Sequence, residues 1–543
     1  MADLKVGLRT STLAGMPLVR TRTPGLPMAI ASGVLLALSF PRYGHPALAW
    51  IALTPLMVSL TDGSLPRAFG LGLTTGAVYF IGTLYWISRV MAVYGQISLP
   101  VAALINLALV AYLALFPAVF AMIVRRTTAA FGPTALVTAP LVWVATELGR
   151  TYLFTGFPWV LLGYSQATVL PVAQLASLFG VYGVSALVAS VSAGAAIAAI
   201  NLAPFGRTRT GKHGMSGLTA ARAFGPLAFA FALVFVVAVW GSRRVAGGGL
   251  TRQGDPIRVG LVQGNIDQAR KMDTTATATD VFGIHLRLTR QAIREGAALV
   301  IWPESSIPFH VEEDRAAADE LRAIARQAHV PILVGSDQVD RSVKPPRLYN
   351  AAFLIAPDGS TGGVYRKIHL VPFGEYVPLQ RVFFFAGHLV DAVSDFSAGT
   401  EASLLPVAGH VISTAICYEV VYPDLVRQFA IHGSELLTTI TNDAWFGDSS
   451  APYQHFEQAS MRAIEEGRYL VRSANTGISG IVDPYGRILE KTDVQQEAVL
   501  VGTARFLTDT TLYQRYGDVF AYACAVATLL LLLQSRAWRL SRN

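Results

Sequence analysis

Charged residues are scarce in this sequence, and long apolar runs take their place. Only 14% of the 543 residues are Asp, Glu, Lys or Arg, and 52% are hydrophobic. In soluble globular proteins, about a quarter of the residues are charged. Together with a mean hydropathy of +0.45, this composition excludes an ordinary soluble domain and predicts a membrane protein.

The excess of basic residues is not spread along the chain. Residues 245–515 hold 24 Lys/Arg and 31 Asp/Glu, and the remaining residues hold 19 and 4. The net charge of +8 therefore belongs to the apolar parts, where basic residues lie in loops and set the orientation in the membrane. It does not indicate nucleic-acid binding, and we expect no nucleic-acid partner.

Cysteine is nearly absent. Cys417 and Cys524 are the only two, and Cys524 falls in an apolar run, so no disulfide framework is expected. The sequence shows neither the Cys/His spacing of a metal site nor a glycine-rich phosphate loop, and we expect no metal and no cofactor.

Apolar runs that approach the thickness of a bilayer occur eight times. The first two are short and interrupted by proline, so one re-entrant hairpin is the alternative to two spans. The tails and loops on one side hold 14 Lys/Arg against three on the other, which predicts cytoplasmic termini and, in a bacterium, a periplasmic domain before the last span. The approximate bounds of the runs are 26–40, 46–60, 68–87, 99–124, 133–149, 171–201, 224–241 and 519–534.

These runs divide the chain into three regions. We expect a transmembrane region of about seven helices over 1–244, a periplasmic catalytic domain over 245–515, and a transmembrane helix with a cytoplasmic tail over 516–543. In the middle region, short β-rich runs alternate with amphipathic stretches, which predicts a layered α/β domain. The predicted strands are 257–263, 299–303, 332–336, 351–356, 411–416, 436–441, 469–474 and 499–503, and the predicted helices are 280–295, 312–328, 424–432 and 455–467.

Three residues of the middle region carry the predicted chemistry. Glu304 follows a strand, Lys367 lies 63 residues later, and Cys417 lies a further 50 residues on, where a strand gives way to a helix start. In acyl transfer a thiolate attacks, a carboxylate moves the proton, and a cation stabilises the oxyanion. We expect the helix start or a nearby cation to lower the pKa of Cys417. Each residue also has a non-catalytic interpretation. Cys417 could be an inert buried thiol, Glu304 a carboxylate beside a helix cap, and Lys367 a solvated strand residue.

Four motifs around these residues carry a resemblance to a known family. They are Trp302-Pro-Glu304, Val371-Pro-Phe-Gly-Glu-Tyr-Val-Pro378, Cys417-Tyr-Glu419 and Thr441-Asn-Asp-Ala-Trp-Phe-Gly447. Over about 255–505 the chain resembles the nitrilase superfamily, and with the flanking spans it resembles the apolipoprotein N-acyltransferase family. The resemblance implies a membrane α-helical bundle of about eight spans joined to an α/β nitrilase-like αββα sandwich. The Gln263–Gln268 run lacks the proline often found in the family, and the arm 269–280 is rich in threonine, so the role of that arm stays open.

The resemblance implies a ping-pong reaction in the bacterial inner membrane. An acyl chain passes from a phospholipid, phosphatidylethanolamine by preference, to Cys417 as a thioester, and then to the α-amine of the diacylglyceryl-cysteine of an apolipoprotein. The enzyme is expected to act as a monomer. Glu375 would hold Lys367 or the acceptor amine, Glu419 would orient the turn or tune the amine, and the backbone N–H of Tyr418 would face the oxyanion. The expected substrate-binding residues are Trp302, Asn442 and Trp445, with packing in the core as the alternative for the two tryptophans.

Glu147 is the one acid inside an apolar run, where a charge is costly, and an interfacial position beside Arg150 is the alternative to a functional role. Two other functions stay open for the whole chain. A membrane-anchored nitrilase-type amidase would hydrolyse the same thioester, although one span would suffice as an anchor. A transporter with a ligand-binding outer domain is disfavoured, because the spans show no repeat and hold hardly any charge that would mark a path.

Overall fold

The computed structural model describes residues 24–95, 97–202, 217–268, 275–372, 374–376 and 396–541. Within the predicted features, Phe373 and Val377-Pro378 of one motif and residues 269–274 of the threonine-rich arm lie outside these ranges. The described chain forms a helical region that packs against a two-sheet domain.

The helical region follows the predicted apolar runs. Four helices have the length and hydropathy of a membrane span: Leu99–Phe131, Ala176–Leu202, Ala223–Arg252 and Val519–Trp538. The helices Leu65–Leu84 and Trp86–Tyr94 meet at a bend of 50°, and together they count as a fifth span if the pair crosses as one. The helices of this region have the bounds Gly25–Ala37, Ala49–Ala52, Thr54–Ser59, Leu65–Leu84, Trp86–Tyr94, Leu99–Phe131, Ala139–Tyr152, Leu170–Ala173, Ala176–Leu202, Gly217–Gly247 and Val519–Leu540.

Among the described residues, four or five helices are thus long enough to span, where the sequence predicts eight. The helices Gly25–Ala37 and Ala139–Tyr152 have 13 and 14 residues, and a span needs about 20. Prolines account for much of the shortening, because proline lacks the N–H that continues a helix. Pro46, Pro55 and Pro140 each stand in the first turn of a new short helix.

The domain before the last helix is a sandwich of two six-stranded sheets. Its strands are β1 Pro256–Gln263, β2 Leu299–Ile301, β3 Ile332–Asp340, β4 Arg347–Ile355, β5 Thr361–Arg366, β6 Leu405–Val407, β7 His410–Ile416, β8 Leu436–Thr441, β9 Leu470–Ala474, β10 Gly480–Val482, β11 Ile488–Lys491 and β12 Ala498–Arg505. The sheet orders are β12-β1-β2-β3-β4-β5 and β11-β10-β9-β8-β7-β6. In each sheet the middle strands, β1 to β3 and β7 to β9, pair in parallel, and the other pairs are antiparallel.

Two helices cover the outer face of each sheet. Thr275–Arg294 and Arg315–Ala328 share a buried apolar cluster with the first sheet, and Pro423–Ile431 and Ala451–Glu466 pack on the second. The inner faces meet where β1 contacts β9 and β4 contacts β7. This order of layers is an αββα sandwich, which confirms the predicted layered α/β domain.

All eight predicted strands occur, and four further strands were missed. Three of the missed strands, β6, β10 and β11, have only three or four residues, too few for an alternating pattern to show. The fourth, β5, contains Gly362 and Gly363, and glycine is depleted in strands. The omission of β5 matters, because Lys367 directly follows it.

Candidate active site

The carboxyl ends of strands from both sheets bring the predicted residues together. Lys367 directly follows β5 and Cys417 directly follows β7, whereas Glu304 lies three residues after β2. Asn442, which directly follows β8, donates its backbone N–H to Glu304 Oε2 at 2.9 Å. Residues from facing sheets thus meet at one edge of the sandwich, the usual place for a site in an α/β fold.

Lys367 lies between two carboxylates. Its Nζ is 2.8 Å from Glu375 Oε1 and 3.3 Å from Glu304 Oε1. Asn350 Nδ2 donates to the same two oxygens at 2.9 and 2.8 Å. The lysine is only 1% exposed, and an ammonium buried so deeply needs these partners because removing one would cost about 3–5 kcal/mol.

The charge state of Lys367 follows from these contacts. Burial alone would lower its pKa, but the charges of Glu375 and Glu304 outweigh the burial and raise the pKa above the ordinary lysine value. Lys367 therefore stays an ammonium at neutral pH. It can supply the positive charge that stabilises an oxyanion.

Glu304 is held by a tight loop. Ser305 has φ +46°, and the loop lies directly on Gly335 of β3. A Cβ at Gly335 would come within 2.7 Å of Glu304 Cα and 2.6 Å of Ser305 N. The absence of a side chain at Gly335 therefore allows the carboxylate to approach Lys367.

Cys417 occupies a sharp turn between β7 and the 3-10 helix Cys417–Val421. Its φ is +53°, a left-handed conformation that costs a non-glycine residue about 1–3 kcal/mol and persists only where the surroundings enforce it. Burial, followed by the charge of Glu304, raises the pKa of Cys417, and Lys367 opposes this only in part. The prediction of a lowered pKa is therefore wrong, because burial and the charge of Glu304 outweigh the charge of Lys367. The resting thiol is protonated.

Glu419 fixes this turn through four hydrogen bonds. Its Oε2 accepts the backbone N–H of Ile416 at 2.7 Å. Its Oε1 accepts the N–H groups of Ile368 and His369 at 2.7 and 3.0 Å and the hydroxyl of Tyr365 at 2.8 Å. Burial raises the pKa of Glu419 to about 7 in spite of these donors. The side chain thus joins the turn of the nucleophile to the segment after the predicted lysine.

Sequence reasoning missed a buried network behind Cys417. His455 Nε2 lies 3.1 Å from the Cys417 carbonyl oxygen, and His455 Nδ1 lies 3.2 Å from Asp443 Oδ1 and 3.0 Å from Arg472 Nη2. Arg472 Nη2 also donates to Asp443 Oδ2 at 2.9 Å. Burial alone would raise the pKa of Asp443, but Arg472 and His455 lower it. Asp443 falls within the Thr441–Gly447 motif. Arg472 lies in a predicted strand that is fully buried, and an arginine in such a strand was the signal that could have revealed a buried polar network.

The residue after the nucleophile packs against the helical region. The ring of Tyr418 lies 6.2 Å from the rings of both Phe157 and Trp159, and is inclined by 20° to the latter. Trp159 Nε1 donates to Gln454 Oε1 at 2.8 Å. Because Phe157 and Trp159 belong to the loop after the helix Ala139–Tyr152, the helical region forms one wall of the site.

Two charged residues of that helix hold this loop. Arg150 Nη1 donates to the carbonyl oxygen of Trp159 at 2.7 Å, and Nη2 reaches that of Val160 at 3.4 Å. Glu147 Oε1 accepts the backbone N–H of Leu162 at 2.6 Å. Both charged side chains are buried, so Glu147 supports the loop and does not lie at an exposed interface.

Two predicted substrate-binding residues have other surroundings. Trp302 is fully buried beneath the first sheet and donates its Nε1–H to Thr289 Oγ1 at 2.7 Å, so it is a core residue and not a wall of the site. The side chain of Asn442 donates to Gln268 Oε1 at 2.8 Å and accepts from Asn475 Nδ2 at 2.9 Å. Both polar ends of this amide are therefore engaged within the protein.

Trp445 lies at the junction with the helical region. Its ring meets that of Tyr94 edge to face at 5.2 Å, and the Tyr94 hydroxyl donates to the carbonyl oxygen of Ala444 at 2.9 Å. The indole is half-buried. Of the three predicted substrate-binding residues, Trp445 is the one that the structure leaves partly accessible.

A cavity of about 770 Å³ opens next to the Lys367 segment. It lies between the loop after Tyr152 and the start of the helix Pro423–Ile431, and the rings of His369 and Tyr422, 3.8 Å apart, line it. Its volume is that of a site for a small organic ligand. Within the described ranges, no group of three or more His, Cys, Asp or Glu could hold a metal ion.

Comparison with known proteins covers both regions of the chain. Residues 258–506 match the carbon-nitrogen hydrolase family, and residues 32–194 match the apolipoprotein N-acyltransferase N-terminal domain. Among solved structures, an amidase from Nesterenkonia sp. AN1 is similar, with 20% identity and a TM-score of 0.37 over 49% of this chain and 98% of that chain.

Curated relatives match almost from end to end. An apolipoprotein N-acyltransferase of Geobacter metallireducens is 41% identical over 503 residues, 92% of each chain. One of Methylococcus capsulatus is 36% identical over 504 residues, 90% of this chain and 92% of its own. Because the identity extends through the helical region as well as the sandwich, this chain belongs to the apolipoprotein N-acyltransferase family.

Proposed function

We propose that this chain transfers an acyl chain from a phospholipid to the N-terminal amine of a diacylated apolipoprotein, through a thioester on Cys417. Family membership supports the reaction. One observation of the structure carries its lipid character: Phe157 and Trp159 of the helical region pack beside Tyr418, the residue after the nucleophile. This apolar wall suits an acyl chain and restricts the access of water to a thioester.

In the first half-reaction, the Cys417 sulfur attacks the ester carbonyl of the phospholipid. Glu304 takes the thiol proton, and the ammonium of Lys367 and the backbone N–H of Tyr418 stabilise the oxyanion. The carbon–oxygen bond then breaks, and the leaving lysophospholipid oxygen receives the proton from Glu304. A thioester on Cys417 remains. The proposed donor is phosphatidylethanolamine.

In the second half-reaction, the free α-amine of the diacylglyceryl-cysteine attacks the thioester. Glu304 accepts a proton from the amine and returns it to the departing Cys417 sulfur, so an amide forms and the thiol is restored. Glu375 holds Lys367 in place through both halves. Its 2.8 Å contact with Nζ supports this role.

The membrane arrangement completes the proposal. Residues 1–244 and 516–543 form the membrane region, in which the shorter segments Gly25–Ala37, Pro46–Ser59 and Ala139–Tyr152 lie within the bilayer beside the five longer ones, giving about eight membrane segments. The domain over 245–515 then lies on the periplasmic side of the bacterial inner membrane. Both substrates are anchored in the adjoining leaflet, so a monomer there needs only a planar search.

The test follows the acyl group through both halves. Detergent-purified protein is loaded with phosphatidylethanolamine, and acyl-Cys417 is identified by intact-protein mass spectrometry. A diacylated lipopeptide with a free α-amine is then added, with the same peptide acetylated at that amine as the control. We expect triacylated peptide only from the free amine, because acetylation removes the nucleophilic lone pair. If free fatty acid is released rapidly whether or not either peptide is present, the protein is an amidase-type hydrolase and not a transferase.

A further inference from the structure

His455 makes a contact that the proposed reaction does not yet use. Its Nε2 lies 3.1 Å from the carbonyl oxygen of Cys417. A carbonyl only accepts hydrogen bonds, so Nε2 must carry a hydrogen and donate. In the neutral ring, Nδ1 then accepts from Arg472 Nη2 at 3.0 Å. The donor therefore faces the nucleophile turn.

The rest of the network fixes the imidazole ring. Asp443 lies beside Nδ1 and pairs with Arg472 at 2.9 Å, and all three side chains are fully buried. Asp443 itself is seated against the chain: a Cβ at Gly477 would come within 2.1 Å of Asp443 Oδ2. The ring of His455 also packs against Trp159 at 5.4 Å between centroids. The ring has little freedom to turn away.

The contact has a geometric consequence for the next N–H group. A trans peptide unit is planar, and its C=O and N–H point in opposite directions. Holding the Cys417 carbonyl on the side of His455 therefore directs the Tyr418 N–H to the other side. This N–H belongs to the first turn of the 3-10 helix Cys417–Val421, where it has no partner within the helix.

We propose that His455 is a positioning residue that prevents rotation of the Cys417–Tyr418 peptide and so keeps the Tyr418 N–H in place as an oxyanion donor. The inference rests on the proposed function. The left-handed φ of Cys417, +53°, makes such a restraint necessary, because a turn that is unfavourable for cysteine would otherwise relax and rotate this peptide. Lys367 supplies the charge at the oxyanion, and the peptide supplies the directional hydrogen bond.

Two reactions of the same thiol separate this role from a general structural one. Acylation of Cys417 by an ester passes through an oxyanion, whereas alkylation by iodoacetamide displaces iodide and forms none. Both need an accessible thiol and a correctly folded site. A defect confined to acylation therefore reports on the oxyanion donor.

Three substitutions provide matched variants. His455→Gln places an amide N–H near the Nε2 position, His455→Asn ends near Nδ1 and cannot reach the Cys417 carbonyl, and His455→Phe keeps the ring without a donor. Acylation is measured with a fluorescent phosphatidylethanolamine and, separately, with a p-nitrophenyl ester. We expect His455→Asn and His455→Phe to lower both acylation rates by about 10²-fold, the usual effect of losing one oxyanion donor, with alkylation close to the wild-type rate. His455→Gln should restore most of the loss.

The outcomes are distinct. Equal losses in acylation and alkylation, or acylation unaffected in both donor-free variants, would overturn the role of His455. The Asn and Phe variants perturb packing in different ways, so either one that alkylates normally provides the test. If the wild-type protein reacts with the p-nitrophenyl ester but not with the phospholipid, the lipid donor is wrong and the comparison of His455 variants still holds.

Discussion

The electrostatics of three side chains determine how Cys417 reacts. A buried thiol next to a carboxylate keeps its proton, and a buried lysine between two carboxylates keeps its own. The resting site thus holds a neutral thiol, the ammonium of Lys367 and the carboxylate of Glu304. The sulfur becomes nucleophilic only when Glu304 takes the proton during attack, so the reaction does not depend on a standing thiolate.

This charge arrangement predicts the pH dependence of acylation. With the pKa of Cys417 raised, a reaction that waited for the thiolate would gain about tenfold per pH unit up to that pKa. With Glu304 as the base, we expect the single-turnover rate of acyl-Cys417 formation to stay nearly flat from about pH 7 to 9. Lys367 does not change this profile between pH 7 and 9, because its pKa is raised and the ammonium loses its proton only above the ordinary lysine range.

Glu304→Gln is the matched control for this profile. It removes the base but keeps the shape of the side chain, so its rate should fall by about 10² or more at pH 7 and then rise with pH as the thiol ionises unaided. A wild-type rate that climbs with the same slope would mean that Glu304 does not take the proton. Rapid-quench measurements of acyl-Cys417 across the pH range decide between the two.

At the scale of elements, the helical region and the sandwich share one loop. The loop after Ala139–Tyr152 supplies Phe157 and Trp159 to the site, and Arg150 and Glu147 hold its backbone. Irregular backbone in an apolar setting needs such partners, because unpaired carbonyl and N–H groups are costly there. The two charges in this helix are thus explained by the loop that they support.

Removing Arg150 should damage both stability and activity. Arg150→Leu leaves buried carbonyl oxygens without a donor, and we expect a loss of about 3 kcal/mol in unfolding free energy. The wall beside Tyr418 should loosen with the loop, so acylation by phospholipid should fall more than alkylation of Cys417. Thermal unfolding in detergent and the two rate measurements test this.

Arg341→Leu is the control for Arg150→Leu. The side chain of Arg341 is 64% exposed and pairs with Glu313 on the surface, and surface pairs contribute little. We expect this variant to match the wild type in both measurements. Equal behaviour of the two variants would show that Arg150 is not required to hold the loop.

The sequence predicted elements best where a pattern repeats over several residues. Strands such as β4 contain continuous apolar runs, here Ala351–Ile355, and Glu304 and Cys417 each follow a strand that was predicted. The short strand β10 and the glycine-containing β5 carry no such pattern. The partners of His455 were also hidden, because a buried network depends on long-range contacts that local composition does not encode.

Membrane thickness is the other quantity that composition represents poorly. The apolar content of 26–40 suggests a span, but a proline-bounded helix of 13 residues reaches only about 20 Å at 1.5 Å per residue. Hydropathy indicates which segments avoid water, and helix length indicates which of these segments can reach across the bilayer. The number of helices long enough to span therefore needed the structure, whereas the membrane character did not.

For the whole molecule, the distribution of basic residues predicts the orientation in the membrane. In a background with both Cys417 and Cys524 replaced by alanine, we expect Glu320→Cys on the sandwich to react with a membrane-impermeant maleimide in spheroplasts, and Ser541→Cys after the last helix to react only after lysis. Both positions are exposed, and this background holds no other thiol. Labelling of Ser541→Cys in intact spheroplasts, with Glu320→Cys protected, would reverse the orientation and remove the catalytic domain from its acceptor.

The protonated state of Cys417 also bears on its survival. A thiolate attacks peroxides and disulfides as a nucleophile, whereas a thiol whose proton is retained by burial reacts with them far more slowly. An exposed thiolate in an oxidising compartment would be converted to sulfenic acid or to a mixed disulfide. Burial raises the pKa of Cys417, so the sulfur keeps its proton until Glu304 takes it during attack on an ester. The burial that delays the nucleophile therefore also protects it from oxidative damage between turnovers.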